Sequence, residues 1–263
     1  MKYMLLLFWT VLSPGMALGD SLFSEVIDRI EASNDPRGII RDCRSFYNSQ
    51  RVLLGGDSSK ELVIKTIFKA PDMYRATTYL DGIPVHVRLV TGEVIWDIAV
   101  TGENGESGHF VVANNLVSEE LDYAQMQVSL ANPGISLQET FANVVVSTRI
   151  VEGIEYYKLT CFSGLGSILP VEIYVNSKTL QKKAFVFRKV SKDGERKVKM
   201  QIEEYYDIGG AQVPRRIVIE VAGRSQEVEL IEYKLNLAVE DSAFELDTII
   251  KQLKSFTLNK DPG

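Results

Sequence analysis

The sequence predicts a mainly β protein with a few helices, an α+β chain built on a single antiparallel sheet of about eleven strands. Three features lead to this. From Leu62 onward, apolar and polar residues alternate with the two-residue period of a half-buried strand. Turn residues recur at roughly ten-residue spacing, the pattern of an antiparallel meander. Helical periodicity is confined to the two ends and to one insertion after the fourth strand.

The first helix is expected to start at Ser21, a good N-cap, with Phe23, Val26, Ile27 and Ile30 on one face. A second is expected after Asp35-Pro36, because proline suits the first helical position, and would run through Ile39, Ile40, Cys43 and Phe46-Tyr47. Strands follow over 62–69, 72–80, 83–90 and 94–98. Val85, Val87 and Leu89 alternate with His86, Arg88 and Val90, and Thr91-Gly92 turns the chain into Val94, Trp96 and Ile98. The polar, glycine-rich stretch 102–108 opens the insertion. Ser118 with Glu119-Glu120 behind it reads as a helix start, with Leu121, Met126 and Leu130 near one face and Asn132-Pro133-Gly134 as the stop. A further short helical segment is expected over 135–141. Seven strands then cover 144–150, 154–162, 171–176, 180–190, 196–206, 213–221 and 226–237, and a closing helix is expected over 243–253. Each strand has one wet and one dry face. No linker divides 20–263, which reads as one domain.

Residues 1–19 have the three parts of a secretory signal peptide: Lys2, the apolar run from Met4 to Leu12, and Ala17-Leu18-Gly19 ahead of Asp20. Cleavage after Gly19 is expected. The apolar run is shorter than the roughly 20 residues that span a bilayer, and no cysteine near the cleavage point offers a site for a lipid. The expected product is an exported, soluble protein. With 29 basic against 35 acidic residues, a general nucleic-acid footprint is not expected. The absence of any Asn-x-Ser/Thr sequon favours a bacterial periplasm. Cys43 and Cys161 meet an oxidising compartment there, and their spacing leaves open whether they form a disulfide.

A search for chemistry gives little. His86 and His109, with two lone cysteines, provide no zinc spacing. No nucleophile elbow, metalloprotease helix or P-loop occurs. Gly164-Leu165-Gly166-Ser167 sits between two strands and reads as a turn. Glu203 and Glu204 are strand neighbours and point to opposite faces, so they form no acid–base pair. No catalytic residue, metal or cofactor is therefore assigned. What remains is a large apolar sheet face, which has to be covered by helices or filled by a ligand.

One stretch makes that face concrete. Phe68-Lys69-Ala70-Pro71-Asp72-Met73-Tyr74-Arg75 is followed, after a Gly-Glu turn, by Val94-Ile95-Trp96-Asp97. This resembles the periplasmic lipoprotein-carrier family, LolA and its relatives. Glu155-Tyr156-Tyr157-Lys158-Leu159, the segment 171–180 and the ending 239–244 are also similar to that family. The insert at 102–108 and the two cysteines depart from its pattern. The resemblance implies an unclosed antiparallel β-barrel with a helical lid over an apolar cavity. It makes Arg75 the latch that holds the lid by its backbone carbonyls. Alternation gives Arg75 the same face as Met73, Thr77 and Tyr79, and assigns that face to the cavity. The cavity candidates are Ile64, Phe68, Met73, Tyr79, Val87, Leu89, Trp96, Phe185, Phe187, Met200 and Ile219; Leu121, Met126 and Leu130 are the lid candidates. The function implied is a periplasmic carrier, expected to be monomeric, that takes lipoprotein acyl chains or another lipid from an inner-membrane donor to an outer-membrane acceptor. A regulatory module of the same fold that binds a protein partner is the alternative.

Overall fold

The computed structural model describes residues 16–54, 61–92, 94–101, 109–113, 136–163, 170–191 and 194–258. Helix α1 (Met16–Asn34) comes first and runs through the expected cleavage point. Six strands follow: β1 (Ser45–Leu54), β2 (Leu62–Lys69), β3 (Met73–Leu80), β4 (Ile83–Thr91), β5 (Val94–Thr101) and β6 (His109–Ala113). After the short helix α2 (Leu137–Thr140) come β7 (Asn143–Val151), β8 (Ile154–Phe162), β9 (Val171–Asn176), β10 (Lys182–Ser191), β11 (Gly194–Ile208), β12 (Ala211–Val221) and β13 (Arg224–Leu235). A 3-10 turn (Asp241–Phe244) leads into α3 (Leu246–Leu258).

The described strands form one antiparallel sheet in the order β6-β5-β4-β3-β2-β1-β13-β12-β11-β10-β9-β8-β7. Almost every strand lies beside its sequence neighbour, because the turns are tight. At Asp81-Gly82, Glu152-Gly153 and Ala222-Gly223 both central residues have positive φ, between 49° and 78°. This is the two-residue turn whose twist matches that of a hairpin. The exception is β1, which pairs with β2 on one side and with β13 on the other. It joins the first and last strands and leaves β6 and β7 as the two edges, so the barrel is unclosed.

Two strands exceed the expected eleven. The first is β1, where a helix through Phe46-Tyr47 was expected. Asp35 removes the need for that helix: its carboxylate accepts the backbone N–H groups of Ile39, Ile40 and Arg41 at 2.8–2.9 Å. Gly38, at φ +66°, then turns the chain out of any helical path. Phe46 instead stacks on Phe68 and Tyr233 at centroid distances of 5.3 and 5.5 Å. The second extra strand, β6, follows the 102–108 stretch. The lid candidates Leu121, Met126 and Leu130 lie outside the described residues. The short α2 falls where a helical segment was expected, and Ser136 caps it in a reciprocal box with Glu139.

Three packed clusters form among the described residues. Ile27 and Ile30 of α1, with Leu137 and Phe141, pack on Leu159, Cys161, Val171, Ile173 and Val175. Phe244, Ile249 and Leu253 pack on Val87, Leu89 and Ile98. Cys43 packs with Phe46 and Phe68. Cys43 and Cys161 thus sit in different clusters, and both are free thiols; the cysteine of the β1 approach also donates to the Ser45 carbonyl. A disulfide between them would need β8 and the β1 approach to meet, and the sheet order keeps them apart.

Phe68 is fully buried and stacks on Phe46. Phe68→Ala is expected to lower the unfolding free energy by roughly 3–5 kcal/mol. Ile231→Ala, at a position half exposed, is expected to change it by less than about 0.5 kcal/mol. Urea denaturation of the two variants checks both.

Candidate functional site

Ladder partners in a sheet share a face, so the registers sort the residues singled out by sequence. Leu159, under α1, pairs with Ile173, Ile173 with Phe185, Phe185 with Met200, and Met200 with Ile219. On the same face Ile217 pairs with Val228, Val228 with Val52, and Val52 with Leu62. Ile64 and Phe68 lie two and six residues along β2 from Leu62, on that same side. The α1 face therefore carries Ile64, Phe68, Phe185, Phe187, Met200 and Ile219.

Arg75 pairs with Ile67 and Leu89, and Leu89 pairs with Trp96. Arg75, Met73, Tyr79, Val87, Leu89 and Trp96 therefore lie on the opposite face. That face is covered by the 3-10 turn and α3, which pack on Val87 and Leu89. The single cavity expected from alternation is thus two sites on two faces. The reason lies in the turn between β2 and β3: Phe68 pairs with Tyr74, so Arg75 alternates with Phe68.

Arg75 does bind a backbone carbonyl, as a latch requires, but the carbonyl is that of Ala243 in the 3-10 turn, at 2.9 Å. Lys69, on the same face, donates to the Val239 carbonyl at 2.9 Å and to the Asp241 carboxylate at 2.5 Å. Two cations so fasten the segment that leads into α3. Burial lowers the Arg75 guanidinium from its ordinary value, with Tyr79 acting the other way. Between Arg75, Thr77, Tyr79, Ile249 and Leu253 there is a cavity of about 30 Å³, well below the few hundred Å³ of an ordinary ligand pocket. As described, this site is a clamp rather than a ligand cavity.

The α1 face is different. Leu62, Ile64, Val198, Met200, Ile217 and Ile219 are half-buried on it and belong to none of the three packed clusters. Polar groups gather at both ends of it, first at the α1 end. Asn34 donates to the carbonyls of Ile30 and Leu180 at 2.6 and 2.8 Å. The Glu31 carboxylate accepts the Leu137 N–H at 2.8 Å. Lys182 lies near Glu31 and Cys161, and burial lowers its ammonium from the usual lysine value, with Glu31 acting the other way. Burial pushes the Cys161 thiol up to about 12, so it stays protonated.

At the other end of the α1 face the Asp97 carboxylate accepts from Arg88 Nε and Nη2, both at 2.9 Å, and lies 3.2 Å from His86 Nε2. Burial alone would raise this carboxyl, but the hydrogen bonds from His86 and Arg88 outweigh it and hold it far below the ordinary range. The β4–β5 turn at Thr91-Gly92 brings Arg88 opposite Asp97, and counting outward from that turn would have found the pair. On the opposite face a polar groove of about 260 Å³ is lined by Thr160, Glu172, Arg188, Glu195 and Lys197. Its charges make it unsuited to an acyl chain. Among the described residues no group of metal-ligating side chains occurs, and no helix is long and apolar enough to cross a membrane.

Three solved structures share this architecture. One is a LolA superfamily protein from Nitrosomonas europaea, 15% identical, covering 85% of this chain and 97% of its own, with a TM-score of 0.50. The fold is LolA-like. A DUF1329 family protein from Desulfovibrio piger superposes with a TM-score of 0.51 at 13% identity, over 87% of this chain and 98% of its own. A domain from Vibrio parahaemolyticus described as an outer membrane lipoprotein-sorting protein gives 0.52 at 12% identity, over 88% and 97%. At these identities the likeness to LolA and the others is one of fold. No family model matches the sequence, and no curated protein does.

The Asp97 cluster sets a pH dependence. A carboxyl depressed by folding adds stability above its unfolded value, near 4, and that stability is lost as pH falls through the folded value. Asp97→Asn is therefore expected to be less stable than the parent at pH 7, with the gap closing as pH falls from about 5 toward 2. Urea unfolding across that range measures it.

Proposed function

We propose that this chain is an exported, soluble carrier that binds lipoprotein acyl chains, or another lipid, on the α1 face of its sheet and moves them across the periplasm toward the outer membrane. The observation that carries the reading is the set Leu62, Ile64, Val198, Met200, Ile217 and Ile219. These six apolar side chains share one face, are half-buried, and lie outside the packed clusters of the described residues. Contiguous apolar surface of this kind marks a binding site more often than a structural one. Each methylene of an acyl chain laid on it contributes about 0.8 kcal/mol, so a few contacts suffice for useful affinity. The fold, shared with LolA-like proteins, supports the same reading.

In this reading the open sheet, with edges at β6 and β7, lets cargo enter and leave without unthreading. An inner-membrane donor and an outer-membrane acceptor are the partners it calls for, and the carrier works as a monomer. Binding and release need no covalent chemistry.

A fluorescent fatty acid is expected to bind the purified protein, and solvent extraction of protein taken from its own envelope is expected to release lipid. Met200→Glu is expected to weaken probe binding about tenfold or more, the effect of placing a charge under an acyl chain. Lys251→Glu, exposed on α3, is expected to leave binding unchanged. Fluorescence titration reads both. A folded protein that neither binds the probe nor releases lipid contradicts the proposal.

A further inference from the structure

Lys182 is a half-buried cation on the α1 face. Lys182 opens β10 opposite Val175, a fully buried member of the α1 cluster, so its side chain lies on the same side as Phe185, Met200 and Ile219. Its backbone is held from two directions. The Tyr205 hydroxyl donates to the Lys182 carbonyl, and Asn34 of α1 donates to the carbonyl of Leu180 two residues earlier. The backbone from which the ammonium extends is therefore fixed. Among the described residues it forms no hydrogen bond. Its charged neighbour is Glu31, whose carboxylate is already engaged by the Leu137 N–H. Cys161, the other neighbour, is a neutral thiol. An ammonium half-buried on an apolar face with so little compensation costs stability, and an apolar side chain would pack there at no such cost.

We propose that Lys182 receives the anionic head of the bound amphiphile, so that the ligand is an acyl chain ending in a carboxylate or a phosphate. This rests on the α1 face being the acyl-binding surface proposed above. The chain lies along Phe185, Met200 and Ile219, and the head reaches the start of β10. There it supplies the charge-assisted hydrogen bond that Glu31 does not complete. Glu31 then competes with the ligand head: its negative charge offsets Lys182 when the face is empty and repels the head when it is filled.

The test uses cis-parinaric acid and its methyl ester as fluorescent probes on the full mature protein. The wild type is expected to bind the acid about tenfold more tightly than the ester, the scale of one charge-assisted hydrogen bond. Lys182→Met is expected to bring the acid down to the affinity of the ester and to leave the ester unchanged. Lys182→Gln, which keeps a polar side chain without the charge, is expected to show the same loss, and Glu31→Gln is expected to tighten the acid alone. Displacement by oleate and by lysophosphatidate then tells a carboxylate head from a phosphate head. Equal affinity of wild type for acid and ester overturns the role of Lys182 while leaving the acyl surface standing. Equal loss of both probes in Lys182→Met also overturns it, by reducing the lysine to a structural part. Failure of both probes to bind the wild type removes the acyl surface itself.

Discussion

The structure depends on β1. It is paired on both sides, with β2 from Ser45↔Lys69 to Val52↔Leu62 and with β13 from Phe46↔Leu235 to Leu54↔Gln226. Without it the chain would be two separate meanders, β2–β6 and β7–β13. With it they form one continuous sheet whose apolar positions line up from Leu159 under α1 across to Phe68 under Phe46. The stacking of Phe46 between Phe68 and Tyr233 fixes that junction. The same ladder decides which residues share a face, and so which can share a ligand.

Putting the sheet in register divides its work between two faces. One is packed: α3 and the 3-10 turn lie on Val87, Leu89 and Ile98, fastened by Arg75 and Lys69. The other is packed only in part. Ile27 and Ile30 of α1 cover one end and Cys43 covers the junction, while Met200, Ile219 and their neighbours stay half-buried between them. The clamp on the first face lets the C-terminal segment contribute a core without occupying the second.

Much of this was legible in the sequence. Alternation and turn residues located eleven strands to within a few residues, and grouped Arg75 with Met73, Thr77 and Tyr79 as the registers do, although the bulge at Val85 interrupts the alternation expected along β4. What alternation does not carry is parity between strands. Ile64 and Phe68 looked like companions of Met73 and Trp96, yet the Phe68↔Tyr74 pairing puts them on opposite faces. Arg75 matched its motif and does bind a carbonyl, but the carbonyl belongs to a turn 168 residues away in sequence. No local pattern encodes such a contact. β1 was hidden because Asp35-Pro36 reads as a helix start, and only the three amides gathered by Asp35 show otherwise. Lys182 gave no signal, since one lysine at a strand end looks like any solvated residue until α1 is docked over it.

The central claim is that the α1 face, and not the α3 face, holds the acyl chain. Photo-crosslinking with a fatty acid carrying a diazirine in its chain, followed by peptide mapping, tests it most directly. The account predicts labels on β10, β11 and β12, at or beside Phe185, Met200 and Ile219, competed away by unlabelled fatty acid. Competable labels concentrated on Met73, Leu89, Trp96 or α3 would contradict it.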